Sequence, residues 1–156
     1  MQVSKQVNTF IMTLTFAFTI MTAQASEMLS AEELEQDVVQ RQTAFSQIDD
    51  QQEQIENMLD DDDYNWQQLE NVSSELTANS ASLQRLFVPD SQLDSRAKDK
   101  VWDENQKFRA ALAKMDNSFV MMNNAIKQQD SNAAKNALKQ ANKTCRSCHR
   151  QFRSLW

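Results

Sequence analysis

Residues 131–155, SNAAKNALKQANKTCRSCHRQFRSL, keep one face apolar along their whole length. Ala134, Leu138, Ala141, Cys145, Cys148, Phe152 and Leu155 recur at alternating steps of four and three. That is the period of an α-helix burying one side. Asp130 or Ser131 can cap its start. The stretch therefore predicts a helix whose inward face carries both cysteines of the chain, with the single histidine, His149, beside the second.

Three further stripes of the same period lie upstream. Ser30-Ala31-Glu32-Glu33 has the form of a capping box, in which Ser30 and Glu33 satisfy each other's backbone amides. From there Leu34, Val38, Arg41, Phe45, Ile48, Gln52, Ile55 and Leu59 form an inward stripe that Arg41 and Gln52 interrupt. The acidic run Asp60 to Asp63 should end this helix, because carboxylates are unfavourable at a helix C-terminus and favourable at the next N-terminus. A second stripe reads Trp66, Leu69, Ser73, Leu76, Ser80, Leu83 and Phe87, its serines small enough for close approach of a neighbour. Val88-Pro89-Asp90-Ser91 breaks it. A third reads Val101, Asn105, Phe108, Leu112, Met115, Phe119, Met122 and Ile126. Four amphipathic helices, joined by two short loops and one longer one, predict an all-α antiparallel four-helix bundle.

Composition points the same way. There is no glycine and a single proline, Pro89. Hairpins and tight turns favour glycine, so a β-rich fold is disfavoured. The first 25 residues differ from the rest: Lys5 is their only charge, Thr9 to Ala23 is apolar, and Ala23-Gln24-Ala25 presents the small-x-small pattern of a cleavage site. This is the pattern of a secretory signal peptide over residues 1–25. An uncleaved anchor would want ~20 apolar residues, and this run is shorter and broken by threonines. Cleavage after Ala25 leaves 156 − 25 = 131 residues, 26–156, as one helical domain. They hold 15 Lys+Arg (16 less Lys5) against 22 Asp+Glu, a formal charge of −7. Such a balance argues against nucleic-acid binding. With no second long apolar run, no stable membrane insertion is expected. Asp60 to Asp63 lacks the alternating ligands and turn glycine of a calcium loop.

The chemistry sits in Cys145-Arg146-Ser147-Cys148-His149. Two cysteines two residues apart, followed directly by histidine, form the attachment signal for a covalent haem. Each thiol can add across one haem vinyl group to form a thioether, and the histidine presents a ring nitrogen to the iron. On a helix the three side chains fall within about 100°, so one face can make all three bonds. A structural zinc site wants four ligands, and here there are three on one helix. A thioredoxin-like redox pair wants an α/β context. A structural disulfide fits an oxidising compartment but leaves the histidine unexplained. With one histidine in the chain, a protein sixth ligand to iron would be a methionine, from Met28, Met58, Met115, Met121 or Met122. None of these lies in the middle of the first helix.

Together these features resemble the cytochrome c′ family, the class II c-type cytochromes, over essentially the whole of residues 26–156. Its attachment motif lies on the last helix of a bundle. Arg41-Gln42-Thr43-Ala44-Phe45 resembles the family's first-helix segment. The resemblance implies that Arg41 lies near a haem propionate and that Phe45 covers the distal face of the iron. Trp102 and Phe108 match a similarly spaced aromatic pair. Arg153, four residues after His149, resembles the basic residue beside the proximal pocket. One departure bears on function. The family's distal residue is often a smaller aliphatic, or a methionine in six-coordinate relatives, and a phenylalanine there is large enough to obstruct the distal face.

The attachment motif implies one haem c, the signal peptide implies a periplasmic protein, and no enzyme is expected. No nucleophile, acid–base pair or substrate pocket is apparent. Two functions follow from the resemblance: single-electron transfer between periplasmic redox proteins, or binding of nitric oxide or carbon monoxide at a five-coordinate haem. A homodimer paired through the first two helices is also implied.

Overall fold

The structure, a computed structural model, describes residues 30–154 except residues 62, 93 and 94. The expected signal segment, Met28 and Leu155 therefore lie outside the described residues. Five helices follow in order: α1 (Ala31–Asp60), α2 (Trp66–Ser82), α3 (Lys100–Asp103), α4 (Asn105–Lys127) and α5 (Ser131–Phe152), with a 3-10 turn at Leu83–Arg85 after α2. Among the described residues the only extended pairing is one antiparallel bridge, Ala97 with Arg153. The fold is the expected all-α four-helix bundle. α1, α2, α4 and α5 form a ring in which each packs on two neighbours.

The ends of the helices follow local chemistry. At the start of α1 the Glu33 carboxylate accepts from the Ser30 amide at 2.8 Å, while Ser30 Oγ accepts from the Glu33 amide at 3.3 Å. α1 stops at Asp60, and Asp61 is extended with φ −72° and ψ 152°. The cap of α2 is Asn65 and not one of the aspartates, its side-chain oxygen taking the Gln68 amide at 3.1 Å. Asp130 caps α5 by accepting from the Ala133 amide at 2.9 Å. Because the chain has no glycine, the left-handed turn positions fall to Asp90 (φ 66°) and Gln129 (φ 55°).

The stripes read from sequence define the core. Ile55, Leu69, Leu76, Leu83, Phe119, Ala134 and Ala141 are fully buried. Each large aliphatic or aromatic side chain so buried contributes about 1.5–3 kcal/mol. Ser73 and Ser80 are also buried, and Ser73 Oγ reaches Asn123 Oδ1 on α4 at 3.0 Å. The small serines thus let α2 approach α4. The third stripe departs from expectation at its start. Val101 belongs to the short α3, and Glu104, with φ −111° and ψ 40°, separates it from α4. The loop before α3 is tied down by the Trp102 indole N–H, which donates to the Val88 carbonyl at 2.7 Å.

The ring is uneven. α4 packs closely on α5 and on α2, whereas α1 meets α5 over a much smaller seam. Near the α4–α5 turn Leu59 of α1 and Ala134 and Leu138 of α5 are buried, and Lys135 Nζ lies 4.0 Å from Asp60 Oδ1 across the seam. Further along, the bridging contact is polar: Gln52 Nε2 donates to Asn142 Oδ1 at 2.5 Å. Beyond it α1 and α5 border a cavity.

Candidate haem site

The cavity has a volume of about 400 Å³ and lies where α1, α5 and the segment before α3 meet. Its apolar wall is aromatic. Phe45 stands edge-on to Phe87 with ring centres 6.3 Å apart. Phe87 stands edge-on to Phe108 at 4.6 Å, and Phe108 to Phe152 at 5.3 Å. All four rings line the cavity, together with Val101. Such T-shaped contacts fix ring orientation as well as burying area. The polar rim is made by Arg41, Asp49, Arg96, His149 and Arg153.

Most of the residues singled out in the sequence converge here. Arg41, Phe45, Cys148, His149, Phe108 and Arg153 all line the cavity. Cys145 does not. It lies half-buried in the α1–α5 seam, its Sγ 3.9 Å from Gln52 Oε1. Trp102 is also absent from the wall and stacks on Arg41 instead, 5.9 Å from the guanidinium carbon. Phe87 and Phe152 belong to the stripes, which mark them as inward without assigning them to a site, and Asp49 lies outside every stripe. The last has a signal in hindsight: it follows Phe45 by four residues and so shares its helix face. Arg96 and Ala97 come from irregular chain, where no period could point to them.

Arg41 is held firmly. It is 3 % exposed. Its guanidinium donates to Ser91 Oγ at 2.8 Å, to the Leu86 carbonyl at 3.3 Å and to the Ser91 carbonyl. The same group lies 4.9 Å from the centre of the Phe87 ring. Burial draws its pKa down, with Asp37 opposing, yet a guanidinium remains charged at any physiological pH. Arg41 thus clamps the chain after α2 and steadies the ring on which Phe45 rests.

The two cysteines are free and half-buried. Burial first, then the neighbouring Cys145, pushes the Cys148 thiol up to about 11. Burial, then Asp49, pushes Cys145 in the same direction. A reactive redox pair needs thiols shifted downward, so the environment speaks against a thioredoxin-like role. His149 is exposed. Its pKa is lowered by burial of part of the ring and by Arg153, with Asp49 opposing. The neutral imidazole is the form that binds metal. The end of α5 is anchored where the Lys98 amide donates to Phe152 O at 2.9 Å and the Ser154 amide to Arg96 O at 2.8 Å. Among the described residues no three His, Cys, Asp or Glu side chains converge to hold a metal ion by themselves.

A family profile described as cytochrome C′ matches residues 36–153. The chain belongs to the cytochrome c′ family. Cytochromes c′ carry one covalent haem c, and the residues present fit that group. Two unpaired cysteines and a histidine share one face of α5, beside an aromatic-walled cavity open to solvent on one side. Solved cytochromes c′ have the same fold. The protein from Rubrivivax gelatinosus is 21% identical, with a TM-score of 0.70 over 76% of this chain and 94% of that one. The protein from Thermochromatium tepidum is 20% identical, with a TM-score of 0.72 over 81% and 98%. A ferrous variant of the Alcaligenes xylosoxidans protein with bound NO is 18% identical, with a TM-score of 0.73 over 78% and 97%. No curated protein sequence matches significantly.

Proposed function

We propose that this cytochrome c′ is exported to the periplasm and carries single electrons between redox proteins there. The observation that carries the reading is the placement of Cys148 and His149 on the aromatic-walled cavity between α1 and α5. In this reading Cys145 and Cys148 each add an S–H across one haem vinyl, forming two thioethers. The His149 imidazole would hold the iron. Haem so bound supplies a one-electron change and an iron coordination position. The chain's own part would be to line the pocket with the four phenylalanines, to hold Phe45 on the cavity wall through Phe87 and Arg41, and to set His149 in the opposing fields of Arg153 and Asp49. Arg153 lowers and Asp49 raises the proton affinity of that imidazole.

A second reading, nitric oxide or carbon monoxide binding, is favoured by one observation. Among the described residues no methionine lines the cavity. Met115 and Met122 are core residues of α4, and Met121 is exposed. Phe45 cannot coordinate iron, so this lining would leave an iron coordination position for a gas, with Phe45 as the obstacle it must pass. The nitric oxide complexes of Alcaligenes xylosoxidans variants agree with this.

One preparation tests these readings. Protein from the periplasm of cells competent in haem attachment should begin at Ser26 and keep one haem through acid–organic extraction. An apoprotein mass overturns the attachment assignment. A retained residue 1 overturns the export assignment. The ferrous spectrum should be high-spin and shift on adding nitric oxide. Sharp low-spin bands would remove the gas-binding reading and leave electron transfer.

A further inference from the structure

α5 carries its charge in one strip. Between residues 131 and 154 there are six Lys and Arg and no Asp or Glu. Lys135, Lys139, Lys143, Arg146, Arg150 and Arg153 follow one another by fours and threes. At about 100° per residue they fall within an arc of roughly 80°, and the strip runs ~27 Å along the axis. All six are exposed. The cysteines project from the other side of the helix. His149 falls between the two faces, about 40° from the strip's near edge. Arg153, the last residue of the strip, lines the cavity together with His149 and Arg96.

The fold does not account for this strip. Among the described residues only Lys135 has an acidic partner, Asp60 at 4.0 Å. The other five make no ion pair there. Like charges four apart on a helix repel. The helix dipole favours cations in the last turn but disfavours them in the first, so it accounts for Arg150 and not for Lys135. α1, across the cavity, is the opposite: nine acidic residues against one base, the buried Arg41. A chain of formal charge −6 thus turns a positive edge toward solvent beside its haem site.

We propose that this strip on α5 is the docking surface for a redox partner protein whose own cofactor is rimmed by carboxylates. The proposal rests on the electron-carrier reading above and adds the face used and the charge of the partner. One electron passes between the partner's cofactor and the haem iron, in either direction, and no atom or proton moves with it. The charge argument selects the partner. Net charge alone would attract a basic protein and repel an acidic one, but clefts and edges of one sign govern encounter locally.

Small probes of known charge decide this on the holoprotein. Oxidation of the ferrous form by the ferricyanide trianion is followed from about 10 mM to about 150 mM salt, over which the screening length falls from roughly 30 Å to roughly 8 Å. The rate should fall by about tenfold, while reduction of the ferric form by cationic hexaammineruthenium(II) should rise. The opposite signs would mean that net charge governs, and would overturn the proposal. A readout without electron transfer is paramagnetic hexacyanochromate(III), which should broaden the amide signals of Lys139, Lys143 and Arg150 and leave those of α1 sharp. Broadening centred elsewhere overturns the proposal. Lys139→Glu with Lys143→Glu and Arg150→Glu should reverse the ferricyanide salt slope and abolish the broadening, while oxidation by uncharged 1,4-benzoquinone stays unchanged. If none of these reagents exchanges electrons with the haem, the electron-carrier reading fails, and the broadening still judges the surface. Sedimentation with phosphatidylglycerol vesicles at low salt would assign the strip to a lipid surface and overturn the protein-partner proposal.

Discussion

The α2–α4 seam and the α1–α5 seam are built from helices of the same bundle and serve opposite ends. In the first, Leu69, Ser73, Leu76 and Ser80 of α2 and Leu112, Phe119, Met122 and Ile126 of α4 are all buried. In the second, Gln52 meets Asn142, Cys145 and Phe45 are half-buried, and His149 is exposed. The dry seam supplies the burial energy that the open seam gives up. A bundle with four dry seams would be more stable and would have nowhere to hold a planar cofactor.

The contrast is broken most completely at the cysteines. Cys145→Ser with Cys148→Ser should abolish covalent haem altogether, read as the apoprotein mass after extraction, while the helical circular dichroism signal persists. Collapse of the helical signal would show that the open seam also carries the fold. The complementary change lies in the dry seam. Phe119, fully buried on α4, lies far from the motif in sequence. Phe119→Ala should cost about 3–5 kcal/mol in denaturant unfolding and leave the haem attached.

Arg41 joins the two regimes, being buried like core yet set on the cavity wall. Arg41→Ala removes its donors from the Ser91 and Leu86 carbonyls, at a cost of roughly 1–3 kcal/mol. It should also speed carbon monoxide association, because Phe87 and then Phe45 lose their support. Arg41→Lys should recover part of the stability and less of the gas kinetics, since an ammonium cannot span the same acceptors. Phe45→Ala should speed carbon monoxide association several-fold by stopped-flow, with stability changed less than by Phe119→Ala because Phe45 is only half-buried. An unchanged rate would remove Phe45 from the path of the gas. The smallest effect is expected at the cap of α5. Asp130→Ala should cost about 1 kcal/mol and leave spectrum and gas kinetics alone.

The sequence by itself determined the helices and the chemistry. Helical period is a local property, so the four stripes could be read without knowing what they pack on, and most of their apolar members among the described residues are buried, with Leu34, Phe45, Trp66 and the two cysteines only partly so. Capping is local too, and the Ser30–Glu33 box and the Asp130 cap stand where the residues indicated. The attachment motif is five consecutive residues, so nothing distant was needed to find it. Tertiary structure alone decided the rest. The cavity's aromatic wall joins Phe45, Phe87, Phe108 and Phe152 from three helices and a loop, and the period that marks each as inward does not say which inward residues meet. The fate of Arg41 turned on Ser91, 50 residues away in the chain. The break between α3 and α4 at Glu104 interrupts a stripe that continues in register on either side. Local sequence encodes which way a side chain faces, and only the packing of helices onto one another determines what it faces.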